Sequence, residues 1–505
     1  MSYQETYKKW CTDPYFDAQT QEELKNLEGN EKEIEDCFYR QLEFAREATL
    51  CLNANGIHTY LFESLRPTPE LSFAVRELGC IAGIVITASH NPREYNGYKV
   101  YWEDGAQITP PHDKNILAEV AKVTDFSMVK TMEEDEARAE NLFSIIGTDF
   151  DDKYIAQLKK QSIHPEAAKD MKIVYTPLHG TGNIPVRRVL RELGFTQVYV
   201  VEEQKVPDGN FPTVPYLNPE DKNAWTLALE LAKKVDADII LATDPDADRL
   251  GVHAKDTKTG EYVSFTGNMS GMLIAEYILR ERTKTGTMPE NPALVETIVT
   301  TDMAKAVAKE YNTALIEVLT GFKYIGEQIR LFDETGSHHY VFGLEESYGC
   351  LAGTYARDKD APVAVMMLCE VAAYYKLQGK TLWDAMVELY EKYGYYKEDL
   401  ATVTLKGIDG SQKITAMMNA FRENPPKELG GFKVLACRDY KSDCRRDMIT
   451  GETTSTGLPT SNVLYYELEN NAWCCVRPSG TEPKIKYYFG VKGENFKDAE
   501  EKLEA

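Results

Sequence analysis

Three aspartates, Asp244, Asp246 and Asp248, stand two residues apart, directly after an apolar stretch that ends at Ala242. In an extended loop, side chains at this spacing can turn toward one point, where their carboxylates repel one another unless a cation lies between them. Sites made only of oxygen donors favour Mg²⁺, Mn²⁺ or Ca²⁺. Because α/β proteins place their sites at the carboxyl ends of strands, the position favours a metal loop over a solvated acidic turn.

The spacing of these aspartates also occurs in EF-hand calcium loops, which require glycine at the sixth position and glutamate at the twelfth. Arg249 and Lys255 stand at those two positions in this chain. The EF-hand interpretation therefore fails, and a metal loop of another kind is predicted.

A serine and a histidine lie side by side in the polar segment 87–92, which follows the apolar stretch 81–86. A hydroxyl and an imidazole in a tight loop suit nucleophilic or phosphoryl chemistry at Ser89. The alternative is an ordinary Ser/Asn turn before a proline, and the adjacent side chains of Ser89 and His90 can point apart. The Gly-x-Ser-x-Gly elbow of α/β-hydrolases is absent from this loop, which weakens a hydrolase interpretation.

An arginine and two hydroxyl residues surround a glycine near the end of the chain, at Arg477, Ser479, Gly480 and Thr481. Such side chains, together with backbone N–H groups around a glycine, can form a nest for an anion. In a chain of net charge −23, a local cluster of donors suggests a phosphate site. The alternative is an ordinary hairpin turn.

Two further segments carry groups that suit a phosphorylated sugar. Glu345 and Ser347 follow an apolar strand, and a carboxylate beside a hydroxyl suits the recognition of sugar hydroxyls, although Glu-Glu pairs usually lie on solvated surfaces. Lys323, after Thr320-Gly321, and the Arg-Asp-Lys segment 357–359 add possible phosphate donors.

The elements that must position these loops follow a repeating pattern. Short apolar segments alternate with amphipathic helices about three times, which is typical of parallel, doubly wound α/β units. The last hundred residues instead hold strand-like segments joined by tight turns, which predicts an α+β module with an antiparallel sheet. The predicted domains are residues 1–149, 150–262, 263–400 and 401–505.

The composition excludes several classes of function. The chain has 505 residues, of which 80 are acidic and 57 basic, and a net charge of −23 repels nucleic acids and anionic membranes. Ten cysteines without a CxxC pair are typical of thiols in a reducing compartment. The N-terminus has no apolar core like that of a signal peptide, and no apolar stretch approaches the length of a membrane span. A soluble cytoplasmic protein is therefore expected.

Four loops of this chain, in this order, resemble those of the α-D-phosphohexomutase family. Segment 87–92 is similar to the phosphoserine loop, 244–249 to the metal loop, 343–347 to the sugar-recognition loop and 477–481 to the phosphate-binding loop. The stretch 91–102 looks most like the phosphoglucomutase and phosphopentomutase branch. The resemblance implies three α/β domains and an α+β domain around one cleft.

The resemblance also implies a mechanism. Phosphorylated Ser89 would donate its phosphoryl group to a hexose phosphate, the bisphosphate would reorient, and the other phosphate would return to Ser89, which interconverts glucose-1-phosphate and glucose-6-phosphate. One Mg²⁺ would be held by Asp244, Asp246, Asp248 and the Ser89 phosphate, and its charge would stabilise the transferring group. Glucose-1,6-bisphosphate would prime Ser89 as an activator.

The remaining site residues follow from the same resemblance. His90 and Lys99 are candidates for proton transfer or phosphate neutralisation near the serine, and Arg249 would neutralise phosphoryl oxygens. Glu345 and Ser347 would bind sugar hydroxyls. The non-reacting phosphate would be bound by Arg477, Ser479 and Thr481. Gly480 and the possible phosphate donor Lys323 are further candidates for substrate binding. The expected partners are sugar phosphates, without nucleic acid or membrane, and the expected assembly is a monomer or weak dimer.

The chain departs from the family pattern in its first domain. Family members carry a Gly-Leu-Arg loop and an early βα stretch there, but this chain contains no Gly-Leu-Arg, and Phe44 runs directly into Ala45. Loss of a buried strand exposes the apolar faces of its neighbours, at about 25 cal/mol per Å². We therefore expect lower stability of this domain, lower activity, or both.

Four alternatives stay open at this stage. A phosphomannomutase or a phosphopentomutase would share these loops, because loop shape decides which sugar fits. A sugar-phosphate-binding relic without activity is favoured by the missing Gly-Leu-Arg loop. A metal phosphatase could also use three aspartates and a phosphate nest.

Overall fold

The computed structural model describes Lys25 and residues 41–93, 95–167, 170–214, 216–405, 407–479 and 484–505. Within them, strands alternate with helices in three successive α/β units, and a larger antiparallel sheet follows. The predicted fold class, three α/β domains and an α+β domain, is confirmed.

The first unit holds two separate two-stranded sheets. Its elements are α1 (Gln41–Asn53), β1 (Thr59–Phe62), α2 (Thr68–Glu77), β2 (Ala82–Ile86), β3 (Tyr98–Trp102), α3 (His112–Val120), α4 (Glu134–Ala139) and β4 (Phe143–Ile146). Strand β1 pairs in parallel with β4, whereas β2 pairs antiparallel with β3. Helix α1 packs against both β1 and β2 and so joins the two sheets.

The second unit is built on one five-stranded sheet of order β6-β5-β7-β8-β9. Its elements are α5 (Thr148–Lys159), β5 (Ile173–Thr176), α6 (Asn183–Glu192), β6 (Val198–Val200), α7 (Thr226–Val235), β7 (Ile239–Thr243), β8 (Leu250–Lys255) and β9 (Tyr262–Phe265). Strands β6, β5 and β7 are parallel, whereas β8 pairs antiparallel with β7 and β9 pairs antiparallel with β8. The sequence predicted parallel strands and did not indicate these two antiparallel ones. Strand β8 is antiparallel because only six residues join it to β7, too few for the crossover connection that a parallel pair requires.

The third unit has a four-stranded sheet of order β11-β10-β12-β13, of which β13 is antiparallel. Its elements are α8 (Gly267–Thr285), β10 (Pro292–Thr297), α9 (Met303–Glu310), β11 (Ala314–Val318), α10 (Phe322–Thr335), β12 (His339–Leu344), β13 (Cys350–Ala352), α11 (Ala361–Lys376) and α12 (Leu382–Tyr393). Helix α11 is buried over almost its whole length and packs against helices and strands of the second unit. One continuous apolar core therefore spans the two units.

The fourth unit is an antiparallel sheet with two helices. Its elements are β14 (Tyr395–Thr404), α13 (Gly407–Glu423), β15 (Glu428–Leu429), β16 (Phe432–Asp439), β17 (Cys444–Asp447), β18 (Thr453–Thr454), β19 (Leu464–Leu468), β20 (Trp473–Pro478), β21 (Lys484–Gly493) and α14 (Phe496–Glu504). Strand β14 pairs with β21 along ten residues.

Strand pairing bears on two of the expected domain boundaries. The boundary expected at 262 falls in β9, which pairs with β8 of the second sheet, and the boundary expected at 400 falls in β14. We therefore group residues up to Phe265 with the second unit and residues from Tyr395 onward with the fourth. Among the described residues, no helix combines the length and the apolar composition that crossing a bilayer requires.

Candidate active site

The serine loop joins β2 to β3 and presents Ser89 on a strained backbone. Ser89 has a φ of 53°, in the left-handed region, and its N–H donates to Thr87 Oγ1 at 2.8 Å. Thr87 in turn donates its N–H to the carbonyl oxygen of Gly97 at 3.0 Å. A Cβ on Gly97 would lie 2.4 Å from the Thr87 carbonyl oxygen, so only glycine allows the two ends of the loop to close.

The Ser89 hydroxyl contacts two of the predicted site residues. Its Oγ lies 3.1 Å from His90 Nδ1, so the two adjacent side chains meet rather than point apart. It also donates to Asp244 Oδ2 at 3.3 Å, which brings the serine loop onto the aspartate loop. Burial and the positive charge of Arg249 lower the pKa of His90 to about 3, so the imidazole is neutral.

The three aspartates converge as their spacing predicted. One carboxylate oxygen of each lies within 4.8 Å of the others, and all three residues are buried. Asp244 closes the loop by accepting the N–H groups of Asp248 and Arg249 at 3.1 and 3.0 Å. Ala247 takes a φ of 52° at the top of this turn.

Two oxygens of this cluster accept no hydrogen bond. The Oδ1 atoms of Asp246 and Asp248 are buried and have no hydrogen-bond partner among the described residues. A buried carboxylate oxygen without a partner is unfavourable, and a divalent cation would supply the missing interaction. The oxygen donors and the orphaned atoms together fit a Mg²⁺ ion.

Three cationic side chains surround the aspartates. Lys99 Nζ lies 3.0 Å from Asp246 and 3.8 Å from Asp248, and Lys359 Nζ lies 3.0 Å from Asp248. Arg249 Nε is more distant, at 3.9 Å from Asp244 and 3.7 Å from Asp248.

The surrounding charges and burial shift the pKa values of two of the aspartates in opposite directions. Burial and the charges of Asp248 and Asp246 hold the pKa of Asp244 well above its usual range. Burial also acts to raise the pKa of Asp246, but the Lys99 ammonium outweighs it and holds that pKa below its usual range.

A threonine that sequence reasoning missed fixes the aspartate loop from the first unit. Thr68, at the start of α2, donates its N–H to the Asp246 carbonyl oxygen at 2.9 Å. Its Oγ1 donates to Asp246 Oδ2 at 3.2 Å. The position of Thr68 just beyond β1, at the carboxyl end of a parallel strand, was the available signal.

The predicted sugar loop follows β12 and turns back into β13. Ser347 Oγ donates to Glu345 Oε1 at 2.7 Å, and the Glu345 N–H donates to the Gly349 carbonyl oxygen at 2.9 Å. Glu346 accepts from Thr297 Oγ1 at 3.2 Å. Burial and the charge of Glu345 raise the pKa of Glu346 to about 7.

The predicted phosphate loop leaves β20 and returns through β21. Arg477 lies opposite Lys486 on the paired strands, and Ser479 donates its N–H to the Lys484 carbonyl oxygen at 2.8 Å. Burial and the charge of Arg477 lower the pKa of Lys486. Two cations are therefore held side by side at this edge, which favours an anion. Gly480 and Thr481 lie outside the described residues.

One cavity of about 630 Å³ brings the four loops together. The predicted site residues that line it are Ser89, His90, Lys99, Asp248, Arg249, Glu345, Ser347, Arg477 and Ser479. Thr320 and Gly321 line it as well, whereas the Lys323 ammonium lies over the Tyr324 ring at 5.2 Å.

The cavity wall also contains residues that sequence reasoning did not select. They include Gln107, Asn218, Glu220, Asn268, Glu398, Lys486 and Tyr488, whereas Lys359, which also lines the cavity, belongs to the segment 357–359 that was predicted to supply phosphate donors. Glu220 accepts from Arg249 Nη1 at 3.4 Å. Lys486 could have been found from its strand register opposite Arg477, but nothing in its local sequence marks Glu220.

Family models match most of the chain. They are described as phosphoglucomutase/phosphomannomutase α/β/α domains I, II and III, and they match residues 36–126, 152–258 and 266–393. The three matches follow one another in the order of the first three units.

Curated relatives extend this similarity across the fourth unit. Phosphoglucomutases of two Staphylococcus aureus strains, RF122 and USA300, are 38% identical over 471 residues, which is 93% of this chain and 83% of each relative.

Solved structures share the fold at lower identity. Parafusin, a phosphoglucomutase of Paramecium, aligns with a TM-score of 0.65 at 17% identity and covers 90% of this chain and 82% of its own. A phosphoglucomutase/phosphomannomutase family protein of Burkholderia thailandensis aligns with a TM-score of 0.60 at 17% identity, over 92% of both chains.

Proposed function

Because the chain belongs to the phosphoglucomutase/phosphomannomutase family, as its motifs predicted, we propose that it interconverts glucose-1-phosphate and glucose-6-phosphate. The family also confirms the predicted class of enzyme, a phosphohexomutase isomerase. Glucose is favoured over mannose or a pentose because the relatives at 38% identity are phosphoglucomutases.

The observation that carries this proposal is the meeting of a nucleophile, a metal loop and two recognition loops in one cavity. Ser89 Oγ lies 3.3 Å from Asp244, while Glu345 and Arg477 face the same 630 Å³ space. A phosphoryl carrier, a carboxylate for sugar hydroxyls and a cation for a second phosphate are the groups that a mutase reaction needs.

In the proposed reaction, Ser89 carries the phosphoryl group between the two ends of the sugar. A sugar hydroxyl attacks the phosphorus and gives up its own proton, the bond from phosphorus to Ser89 Oγ breaks, and the serine oxygen takes up one proton in return. His90 Nδ1, 3.1 Å from that oxygen, is positioned to exchange this proton. Reversal of the same steps, after the bisphosphate turns around, restores phosphorylated Ser89.

We propose that Asp244, Asp246 and Asp248, with the Ser89 phosphate, would hold one Mg²⁺. When bound, this ion would withdraw negative charge from the transferring phosphoryl group. The protein residues hold the site in place without it, because Thr68 and Lys99 both fix Asp246. Glucose-1,6-bisphosphate is the proposed activator that primes Ser89.

The recognition residues divide between the two ends of the substrate. Glu345 and Ser347, already joined by a hydrogen bond of 2.7 Å, would accept and donate to sugar hydroxyls. Arg477 and Ser479 would bind the non-reacting phosphate, and the proposed roles of Gly480, Thr481 and Lys323 rest on the sequence. Cytoplasmic location, sugar phosphates as the partners, and a monomer or weak dimer stay predictions.

A second candidate, a sugar-phosphate-binding relic with impaired catalysis, is favoured by one observation. Among the described residues, the first unit, which carries Ser89, has two two-stranded sheets where the second unit has one sheet of five strands. This is the arrangement expected if a strand near the missing Gly-Leu-Arg loop is absent. The relic would bind the sugar phosphate through Glu345 and Arg477 without transferring its phosphoryl group.

The deciding experiment measures conversion of glucose-1-phosphate to glucose-6-phosphate, with Mg²⁺ and glucose-1,6-bisphosphate present and glucose-6-phosphate dehydrogenase as the reporter. We expect turnover, and a loss of about 10⁴-fold or more in Ser89→Ala, because the nucleophile is removed. Mannose and ribose phosphates assayed in parallel separate the related mutases. A folded chain that binds glucose-6-phosphate but turns over none of these substrates would identify the relic instead, and release of inorganic phosphate without isomerisation would identify a phosphatase.

A further inference from the structure

The second and third units order their strands in the same way. The sheet of the second unit runs β6-β5-β7-β8, and that of the third runs β11-β10-β12-β13. In both, the strand that comes first in the chain lies between the second and the third strand and is parallel to each of them. The fourth strand pairs antiparallel with the third.

The functional loops identify the matching strands of the first unit. The metal loop joins β7 to β8, the sugar loop joins β12 to β13, and the serine loop joins β2 to β3. Strands β2 and β3, which are antiparallel, therefore match the third and fourth strands of the other units. Strand β1, which follows α1 as β6 follows α6, matches the second. Among the described residues, no strand of the first unit matches β5 and β10, the central strands of the other two sheets.

The sequence in front of α1 does not have the pattern of such a strand. Residues 17–36 contain ten charged residues and only four apolar ones, and no two of the apolar residues are adjacent. Parallel strands covered on both faces are instead rich in consecutive apolar residues, as in β5, where all four residues are buried.

Strand β1 has one edge that no described strand pairs with. Thr59 donates its N–H to the Leu142 carbonyl oxygen at 2.8 Å, on the side of β4. Because successive residues of a strand direct their N–H and C=O groups to opposite edges, Tyr60 and Phe62 present theirs at the edge away from β4. Tyr60 is 41% exposed there.

Strand β2 has a matching open edge. Thr87 donates its N–H to the Gly97 carbonyl oxygen at 3.0 Å, in line with the pairing of β2 with β3. By the same alternation, Ile84 and Ile86 present their N–H and C=O groups at the edge away from β3. Within the described residues, no strand pairs with this edge either.

The two open edges belong to strands that run in the same direction. The segments at the carboxyl ends of β1 and β2 both reach the aspartate loop, Thr68 at Asp246 and Ser89 at Asp244. Helix α1 packs against both strands and so holds them beside one surface. A parallel strand placed between them would complete the order that the other two units share.

We propose that the first unit binds an extended apolar segment of another polypeptide, as a parallel strand between β1 and β2. The completed sheet would have five strands, with the bound segment in the position that β5 and β10 hold in their own sheets. Addition of a strand to open sheet edges is an established mode of peptide recognition, in which the backbone supplies the hydrogen bonds and apolar side chains supply the specificity.

The partner is a different polypeptide rather than a second copy of this chain. The central apolar strands of a second copy, β5 and β10, are already paired on both edges and buried in their own sheets. Lending either of them would require its own unit to unfold. The proposal goes beyond the mutase reaction and does not depend on it.

The test measures hydrogen exchange in the full chain by mass spectrometry, with and without a synthetic peptide at millimolar concentration. The two peptides are residues 172–177 and Pro292–Thr297, because these strands hold the matching position in the other units. We expect the amides of 59–62 and 82–86 to exchange at least about tenfold more slowly with peptide, since both edges gain hydrogen bonds. Val198–Val200, an edge strand of the second sheet, should not change.

N-methylated peptides test whether both edges are used. In its own sheet, Ile173 donates its N–H on the side of β6, to the Gln197 carbonyl oxygen at 2.9 Å. In the first unit, Ile173 and Tyr175 of the peptide would therefore face β1, and Val174 and Thr176 would face β2. Methylation of either pair should weaken binding about tenfold, as measured by fluorescence anisotropy of the labelled peptide.

Two exposed tyrosines offer a matched pair of variants. Tyr60→Asp places a charge beside the bound strand, where an apolar neighbour would cover it, and should weaken binding at least about fivefold. Tyr98→Asp, on β3, is separated from the bound strand by β2 and should not change the affinity.

Three outcomes would overturn the proposal. The first is that neither peptide slows exchange in 59–62 and 82–86, or that both slow it equally in Val198–Val200. The second is that methylation of only one pair matters, which would show addition to a single edge. The third is a dimer that protects both strands without peptide, which would identify a second copy as the occupant. Exchange is measured without turnover, so absence of mutase activity would leave the result unaffected.

Discussion

The first and second units place a functional loop at the end of a strand in the same way, but they support that strand differently. Strand β7, which leads to Asp244, has a parallel neighbour on one side and an antiparallel neighbour on the other, and all five of its residues are buried. Strand β2, which leads to Ser89, pairs with β3 alone within the described residues, and most of it is half-buried or exposed.

The difference shows how unequally the two halves of the site are supported. Apolar side chains that a central strand would bury reach solvent in the first unit, where Ile81 is 71% and Tyr98 is 59% exposed. The metal loop is instead anchored in the continuous core that joins the second and third units. The first unit, which carries Ser89, therefore supports its functional strand with fewer neighbours, and the lower stability expected for this unit stays a prediction.

The largest expected effect is on protein stability, when one isoleucine is replaced by alanine in β7 and one in β2. Ile240→Ala in β7 removes a side chain with no exposure, and should destabilise the protein by about 2–5 kcal/mol because a buried cavity remains. Ile84→Ala in β2 removes a half-buried side chain, so about 1 kcal/mol is expected. Thermal unfolding of both variants measures the difference, and equal losses would contradict the comparison.

A buried carboxyl group where the second and third units pack together makes stability depend on pH. Asp360 is fully buried and accepts from the Tyr355 and Tyr154 hydroxyls at 2.6 and 2.8 Å and from the Val363 N–H at 2.8 Å. Burial outweighs these hydrogen bonds and raises the pKa of Asp360 to about 6, from 3.8. The folded state therefore keeps this proton where the unfolded state has lost it.

This carboxyl group stabilises the folded state most below pH 3.8, and its contribution falls as the pH rises to 6. The fall is at most about 3 kcal/mol, from the pKa difference. Asp360→Asn cannot ionise, so the wild type should lose thermal stability relative to this variant between pH 4 and pH 7. Parallel curves for the two proteins, from calorimetry at each pH, would show that the group does not titrate in this range.

The smallest expected effect is on metal binding, when the hydrogen bond from the Thr68 hydroxyl of the first unit to Asp246 of the second unit is removed. Thr68→Val keeps the shape of the side chain but removes the hydrogen bond to Asp246. One such bond contributes about 1 kcal/mol, so we expect Mn²⁺ binding to weaken by no more than about fivefold. Thr49→Val, which removes a hydroxyl that bonds only within α1, is the control. An unchanged Mn²⁺ affinity would mean that the Thr68 hydroxyl does not support the metal loop, which keeps the Thr68 backbone N–H and Lys99 as contacts from the first unit.

Much of the fold could be predicted from the sequence, because the short-range pattern of apolar and polar residues indicates which segments form strands and helices. The strands Ile239–Thr243 and Pro292–Thr297 are short and mostly apolar, as is typical of strands buried on both faces. The long helices α8 and α11 escaped this reasoning because both are buried on most sides and show little amphipathic period. Antiparallel β8 and β13 were missed for a different reason, since strand direction follows from pairing rather than from composition.

The sequence by itself determined which loops could do chemistry. The spacing of Asp244, Asp246 and Asp248 places three carboxylates at one point, and a polar loop after an apolar strand lies at the edge of a sheet. Both features depend only on residues that are close together in the chain, so the sequence alone can reveal them.

Only the tertiary structure decided what those loops meet. Ser89 approaches Asp244 across 155 positions of chain, and Lys359 reaches Asp248 from a different unit. Such contacts depend on how helices and sheets of separate units pack, because a side chain a few ångströms long contacts only what packing brings beside it. The same packing decides that, in the part of the chain the structure describes, β2 has one neighbouring strand and β7 has two, which is why we expect the first unit to be the less stable.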